Sequence, residues 1–246
     1  MILALETSTA AASAAVVDDD GGLLGASRST DGQLQARRLL EGVHEALTAA
    51  GVALDEVATV VCGLGPGTFT GLRIGVATAR ALAQAAGLPL AGVPSLEALA
   101  RGLAASDEAR AAASAAHFVP LIDGRRNEVF AAAYRCVSPA TSADLEPSAD
   151  LEPVVGLTVV GAAALPEFLE RWPGAVVGGD GASLYADLLP ATVTFARAVA
   201  GPSALMVARS FLAGSPAITR GFADTLPLYG REPDAQPRAR SLVGPA

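Results

Sequence analysis

The chain has 246 residues, 51% hydrophobic and 17% charged, which excludes a disordered polymer and suffices for one large or two ordinary packed domains. All 17 basic residues are arginine, which excludes a P-loop lysine, a Schiff base and a lysine general base. A net charge of −8 opposes independent tight binding to a nucleic-acid backbone.

The runs 2–5, 12–17 and 23–26 are short and apolar. They are separated by Glu6-Thr7-Ser8-Thr9 and Asp18-Asp19-Asp20-Gly21-Gly22, which predicts a three-stranded meander. The aspartate run fits a solvated hairpin tip or, alternatively, a cation site. Across 34–50, Ala36, Leu39, Leu40, Val43, Leu47 and Ala50 recur at helical spacing, with Arg37, Arg38, Glu41 and Glu45 opposite and Gly51 as the stop. His44, on this helix, reads as a surface or half-buried histidine rather than a ligand or base. The run 57–62 predicts a buried strand, after which Gly63, Gly65, Pro66 and Gly67 end regular structure.

Thr68 or Thr70 then caps a helix running from Leu72 to Ala86. Leu72, Val76, Ala79, Ala83 and Ala86 form one apolar face, and Ile74, Ala81, Leu82 and Ala85 another. Arg73, Ala77, Arg80 and Gln84 leave only a narrow stripe between them. One face suits the helix's own sheet; the other needs a second helix or another protein. A strand follows at 88–93, then a helix from Ser95 through Leu103. Residues 106–116 are alanine-rich and read as a connection between domains.

The runs 117–122 and 128–137 predict an antiparallel pair around Asp123-Gly124-Arg125-Arg126-Asn127. The hexapeptide SADLEP occurs twice in succession, at 142–147 and 148–153, and reads as a duplicated loop. A strand at 157–160, a helix at 164–171 and a strand at 175–177 lead to Gly178-Gly179-Asp180-Gly181. Residues 195–200 are ambiguous. Pro202 introduces a helix over 203–212, and the end from 232 reads as a flexible tail. Two similar halves, each a meander followed by crossovers, predict an α/β protein with two mixed sheets covered by helices. The boundaries fall at 1–104 for the first lobe, completed by a C-terminal helix, 203–231, at 117–200 for the second, and at 232–246 for the tail. Cys62 and Cys136 lie in apolar runs and read as reduced thiols of a cytoplasmic protein. No signal-like segment precedes Met1, and no apolar run is long enough to span a membrane.

GLGPGTFTG has neither Walker A spacing nor a dinucleotide fingerprint. A strand, a glycine loop and a helix N-terminus suit nucleotide phosphates, and they equally suit a tight structural turn. Glu6, Asp123 and Asp180 fall at predicted strand ends, where the ligand cleft of an α/β sheet lies. There they can hold Mg²⁺ through water, or cap helices and tie loops. No G-x-S-x-G elbow is present, and His44 and His117 lack a paired metal-binding histidine.

Four segments, in order ILALETSTAAASAAV, GLGPGTFTGLRIGVATARALA, LIDGRRNEVFAA and PLYGR, together resemble the bacterial TsaB family. The resemblance implies an actin-like ATPase fold with two RNase-H-like lobes. It implies a non-catalytic scaffold or activating subunit for tRNA N6-threonylcarbamoyladenosine modification, without its own catalytic metal site. An ATPase or small-molecule phosphotransferase of the same fold is the alternative, and a metallopeptidase a third reading. On the resemblance, Glu6, Thr7, Ser8, Gly65, Gly67, Thr68, Asp123 and Gly179 mark a degenerate nucleotide loop. No cofactor is then required, though adenine nucleotide with Mg²⁺ can be held weakly in a complex. The implied partner is TsaD, bound through first-lobe helices bearing Leu39, Val43, Leu72, Gly75, Val76, Ala79, Arg80 and Ala83. TsaE is the further partner in a ternary complex. A homodimer through the same surface is expected when TsaD is absent, with no independent tight tRNA binding and no membrane contact. The family often has Asp where Glu6 stands and His near Gln35, and the SADLEP repeat reads as a local insertion.

Overall fold

The computed structural model describes residues 1–30, 35–112, 117–137 and 151–231, and of 35–37 the backbone alone. The first SADLEP copy, the side chain of Gln35 and the tail from 232 lie outside the described residues. In chain order the first part comprises β1 (Ile2–Glu6), β2 (Ala12–Val17), β3 (Leu23–Ser29), α1 (Gln35–Ala50), β4 (Thr59–Gly63), α2 (Phe69–Ala86), β5 (Leu90–Val93), α3 (Ser95–Ala104) and α4 (Asp107–Ala111). Then come β6 (His117–Arg125), β7 (Glu128–Cys136), β8 (Leu151–Gly161), α5 (Leu165–Glu170), β9 (Val176–Gly178), α6 (Asp180–Leu184), β10 (Thr194–Phe195), α7 (Ala204–Leu212) and β11 (Thr219–Arg220).

Two sheets repeat one plan. In the first, of order β11-β5-β4-β1-β2-β3, an antiparallel meander β1-β2-β3 is extended by the parallel strands β4 and β5. In the second, of order β10-β9-β6-β7-β8, the meander β6-β7-β8 is extended by parallel β9 and β10. This is the duplicated pattern expected from the sequence. The strands of the first sheet alternate between two cores, as the two-residue period of a strand requires. Leu3, Leu5, Val60 and Cys62 face α1 and α2, while Ile2, Ala4, Val61 and Val93 face α7. Both faces are covered, so β1, β2 and β4 read as continuous apolar runs.

The helix α3 is the shared middle layer. Ala98 packs with α7 and the first sheet. Leu96, Leu99 and Leu103 pack with Phe118, Ile122 and Phe130 of the second. Its two buried charges are satisfied: Ser215 Oγ donates to Glu97 Oε2 at 2.7 Å, and Arg101 Nε donates to Ser210 Oγ at 3.1 Å. Burial raises the Glu97 pKa, against the pull of the Ser215 bond and the Arg101 charge. The outer face of the second sheet is closed by Leu165, Phe168 and Leu169 of α5.

The aspartate run is the expected hairpin turn: Asp18 Oδ1 accepts the amides of Asp20 (3.0 Å) and Gly22 (2.7 Å), and Asp19 takes the N-terminal amine. Several other elements differ from the sequence expectation. The helix α2 begins at Phe69, because Thr68 rather than Thr70 holds the extended N-cap geometry. The strand β8 is longer than 157–160, because β7 supplies a ladder from Glu128 to Cys136. The C-terminal helix fills only Ala204–Leu212, and the left-handed Gly214 (φ 71°) follows its end. Residues beyond it form β11 and an extended segment. A short helix, α4, occupies part of the expected connection, capped by Ser106 Oγ on the Ala109 amide. Among the described residues no helix is long and apolar enough to cross a membrane.

Leu99 is fully buried between α3 and the second sheet. Leu99→Ala should therefore destabilise the protein by about 2–5 kcal/mol, read as a lower denaturation midpoint in urea.

Candidate functional site

Three elements meet at one carboxylate. β1 ends on Glu6, β4 ends on Gly63, and α3 starts at Ser95. The Glu6 side chain is 2% exposed. Its Oε1 accepts the Ser8 amide at 2.6 Å, and its Oε2 accepts Ser95 Oγ at 2.7 Å. Ser95 Oγ in turn accepts the Gly65 amide at 3.1 Å. Gly63 lies so close that any side chain there would overlap the carboxylate. Burial raises the Glu6 pKa, and the bonds from Ser8 and Ser95 oppose the shift without cancelling it. The same carboxylate, with burial as the larger cause, pushes the Cys62 thiol up to about 12.

The two predicted phosphate loops close on each other. The Thr68 amide, at the start of α2, donates to the Ser8 carbonyl at 2.7 Å. Gly67 lies against that carbonyl, and Thr7 Oγ1 donates to the Gly71 carbonyl at 2.8 Å, filling the space left by Gly75. Gly65 is left-handed (φ 105°) and joined to Pro66 by a cis peptide. The hydroxyls of Ser8 and Thr68 are buried without a hydrogen-bond partner. So Glu6, Thr7, Ser8, Gly65, Gly67 and Thr68 are brought together as a knot rather than an open cradle. A phosphate with Mg²⁺ does not fit this arrangement, because Glu6 and the Thr68 amide are already engaged by the chain.

Asp123 and Gly179 form a separate group. The Asp123 amide donates to Asp180 Oδ1 at 3.0 Å, and Asp123 Oδ1 accepts the Arg125 amide at 2.8 Å. Asp123 also pairs with the Arg125 guanidinium at 3.1 Å. Burial raises the Asp180 pKa. Gly179 (φ 112°) is pressed against the Leu121 carbonyl, so packing requires its lack of a side chain. Among the described residues, no hydrogen bond or ion pair joins this group to Glu6, Thr7, Ser8 or Thr68. Among the described residues, no three His, Cys, Asp or Glu side chains are grouped to hold a metal ion.

The expected partner-binding residues need correction. Leu39, Val43, Leu72, Gly75, Val76, Ala79 and Ala83 are all buried within this chain. Their stripe faces the first sheet, where Val76, Ala79 and Ala83 share one core with Leu39 and Val43. Arg80 is half-buried and donates to the carbonyls of Phe222 and, at 3.2 Å, Thr225. The face of α2 left to solvent carries Phe69, Thr70, Arg73, Ala77, Ala81, Gln84 and Ala85.

Two contacts carry no signal in the sequence. Ser95 is legible only as the start of a helix, and its bond to Glu6 spans 89 positions. The segment holding PLYGR reaches back to the glycine loop, where the Leu228 amide donates to the Leu64 carbonyl at 2.7 Å. The motif was visible in the sequence; its target was not.

Duplicated mixed sheets around a shared helical layer define a two-lobed α/β protein of the actin-like ATPase type. Residues 32–158 match the model of the TsaD family, described as tRNA N6-adenosine threonylcarbamoyltransferase. An uncharacterised protein of Mycobacterium tuberculosis (strain ATCC 25618 / H37Rv) is 35% identical over 243 residues, 97% of this chain and 95% of that one. The tRNA threonylcarbamoyladenosine biosynthesis protein TsaB of Escherichia coli (strain K12) is 36% identical over 134 residues, covering 54% of each. The solved structure titled YeaZ from Pseudomonas aeruginosa has a TM-score of 0.67 at 26% identity, covering 93% of this chain and 98% of that one. The chain belongs to the TsaB family, within the wider group that the TsaD model describes.

Glu6→Gln tests the reading of the knot. Because the folded pKa lies above the ordinary 4.5, the folded state holds its proton more tightly than the unfolded one. The Glu6 contribution is therefore most favourable below about pH 4.5 and is lost as pH rises through the folded value. The stability of Glu6→Gln relative to the parent chain should rise over that window, measured by urea denaturation at a series of pH values.

Proposed function

We propose that this chain serves tRNA threonylcarbamoyladenosine biosynthesis as a non-catalytic, activating subunit that pairs with TsaD. The observation that carries the reading is the closed loop knot. Glu6 is spent on the Ser8 amide and the Ser95 hydroxyl, and the Thr68 amide on the Ser8 carbonyl, so this loop offers none of these groups to a substrate as a base, nucleophile or metal ligand. Membership of the TsaB family supports the pathway, and the match to the TsaD model supports TsaD as a paralogous partner. The ATPase or phosphotransferase alternative would need the knot to open.

The docking face in this reading is the outer side of α2, centred on Ala77 and Ala81, with the exposed Leu40 of α1 nearby in the same helical layer. Small exposed residues let a partner helix approach closely. TsaE joins as the third component, and a homodimer through the same face forms when TsaD is absent. The chain itself acts in the cytoplasm, contacts no membrane and holds no tRNA tightly alone. It needs no cofactor of its own. Adenine nucleotide with Mg²⁺ is held weakly at most, and only in a complex that has opened the knot and uncovered the buried Ser8 and Thr68 hydroxyls.

Reconstitution with TsaD and a tRNA-modification assay, with and without this chain, test the reading: modification should require the chain, and the chain alone should modify nothing. Ala81→Glu should abolish co-purification with TsaD while leaving the melting temperature unchanged. Val76→Glu should instead unfold the first lobe, because an unpaired charge would be buried there. Retained TsaD binding by folded Ala81→Glu would move the interface elsewhere. Calorimetry of the purified chain with ATP and Mg²⁺ should show no turnover; turnover would favour the phosphotransferase alternative.

A further inference from the structure

The segment 226–231 forms no helix or strand, yet it is fastened at both ends to different lobes. On the first-lobe side, the Leu228 amide donates to the Leu64 carbonyl at 2.7 Å. The Leu228 carbonyl lies 2.7 Å from where a Cβ on Gly65 would stand, so glycine there makes room for the segment. The Tyr229 ring tilts against Phe69 with centroids 5.2 Å apart, and its hydroxyl accepts from Arg73 Nε at 3.1 Å. The Arg73 guanidinium covers Phe69 at 3.9 Å.

On the second-lobe side, Arg231 pairs with Glu128 and donates to the Arg125 carbonyl at 3.4 Å. Its guanidinium lies 5.6 Å from the centroid of Phe130, and Gly230 is pressed against the same ring. From Leu228 to Arg231 the chain can reach only about 10 Å, so the link has little slack. The β6–β7 hairpin that it grips is one that benefits from outside support. Arg125, Arg126 and Asn127 are all left-handed, at φ 62°, 54° and 60°, a region L side chains seldom occupy.

We propose that residues 226–231 are an inter-lobe brace, which holds the β6–β7 hairpin in fixed position relative to the glycine loop and the first turn of α2. Its two fastenings are Tyr229 with Leu228 on the first lobe and Arg231 with Gly230 on the second. Besides the shared layer of α3, it is a direct connection by which a load on α2 reaches the hairpin. This is independent of which partner, if any, docks on α2.

Hydrogen exchange on the full chain tests the brace through reciprocity. Arg231→Ala should speed exchange roughly five-fold or more at the Leu64 and Thr68 amides in the other lobe. Tyr229→Ala should do the same, by roughly five-fold or more, at the Asp123 and Arg125 amides. Tyr229→Phe keeps the ring contact and Arg231→Lys keeps the charge, so each should show a smaller change in the same remote amides. If each alanine variant alters exchange only in the lobe it touches, the segment is two unconnected local contacts and the brace is overturned. Should an alanine variant fail to fold, the phenylalanine and lysine variants carry the same comparison: remote change supports the brace and purely local change overturns it.

Discussion

The structure depends on satisfying one buried carboxylate. Removing Glu6 from water is unfavourable unless hydrogen bonds replace its hydration, and the chain supplies them from two distant places, the Ser8 amide and the Ser95 hydroxyl. That requirement fixes where α3 begins relative to the ends of β1 and β4. Because α3 lies between both sheets, the placement of its first residue also sets the relation of the lobes. Gly63 and Gly65 follow from the same constraint: the first leaves space for the carboxylate, and the second turns left-handed to aim its amide at Ser95.

An anion site at a helix N-terminus needs free amides pointing at open space. The loop ahead of α2 keeps the outline of such a site and none of its vacancy. Its Thr68 amide is taken by the Ser8 carbonyl, and Thr7 reaches over the first turn to Gly71. In this structure the joint between strand and helix is closed by the chain's own hydrogen bonds. The consequence is rigidity at the start of α2, which suits a helix that presents a face to another protein better than a loop that must open and close around a nucleotide.

Much of this was legible in the sequence, and the failures have physical causes. The meander, α1, the β6–β7 pair and the duplicated plan follow from period-two and period-3.6 patterns bounded by turn residues. The orientation of α2 does not. Alanine is accepted both in a close-packed core and at a surface, so a helix with Ala79 and Ala83 on one side and Ala77 and Ala81 on another gives little hydrophobic contrast to choose by. The stripe named for a partner was the one the sheet required. The two-residue strands β10 and β11 carry no periodicity at all and exist only because a neighbouring edge offers hydrogen bonds. The Glu6–Ser95 bond and the contacts of Tyr229 and Arg231 are long-range, and a single sequence contains no term for them.

Arginine usage ties these observations together. The complete lack of lysine is explicable by codon composition alone, yet the geometry uses properties that lysine does not have. Arg73 stacks on Phe69 while bonding Tyr229, Arg80 covers Phe222 while bonding backbone carbonyls, and Arg231 covers Phe130 while pairing with Glu128. Each guanidinium lies near a ring while donating hydrogen bonds or an ion pair from its edge, a combination that suits a planar group better than a compact ammonium. In a chain with only 4% aromatic residues, four rings, Phe69, Phe130, Phe222 and Tyr229, are spent along one seam between α2, the C-terminal segment and the second-lobe hairpin. The seam is partly exposed, so simple charge pairing there would be weak. Stacking adds an interaction that salt does not screen away, and it is this combination that lets a segment without helix or strand hold a fixed course across two lobes.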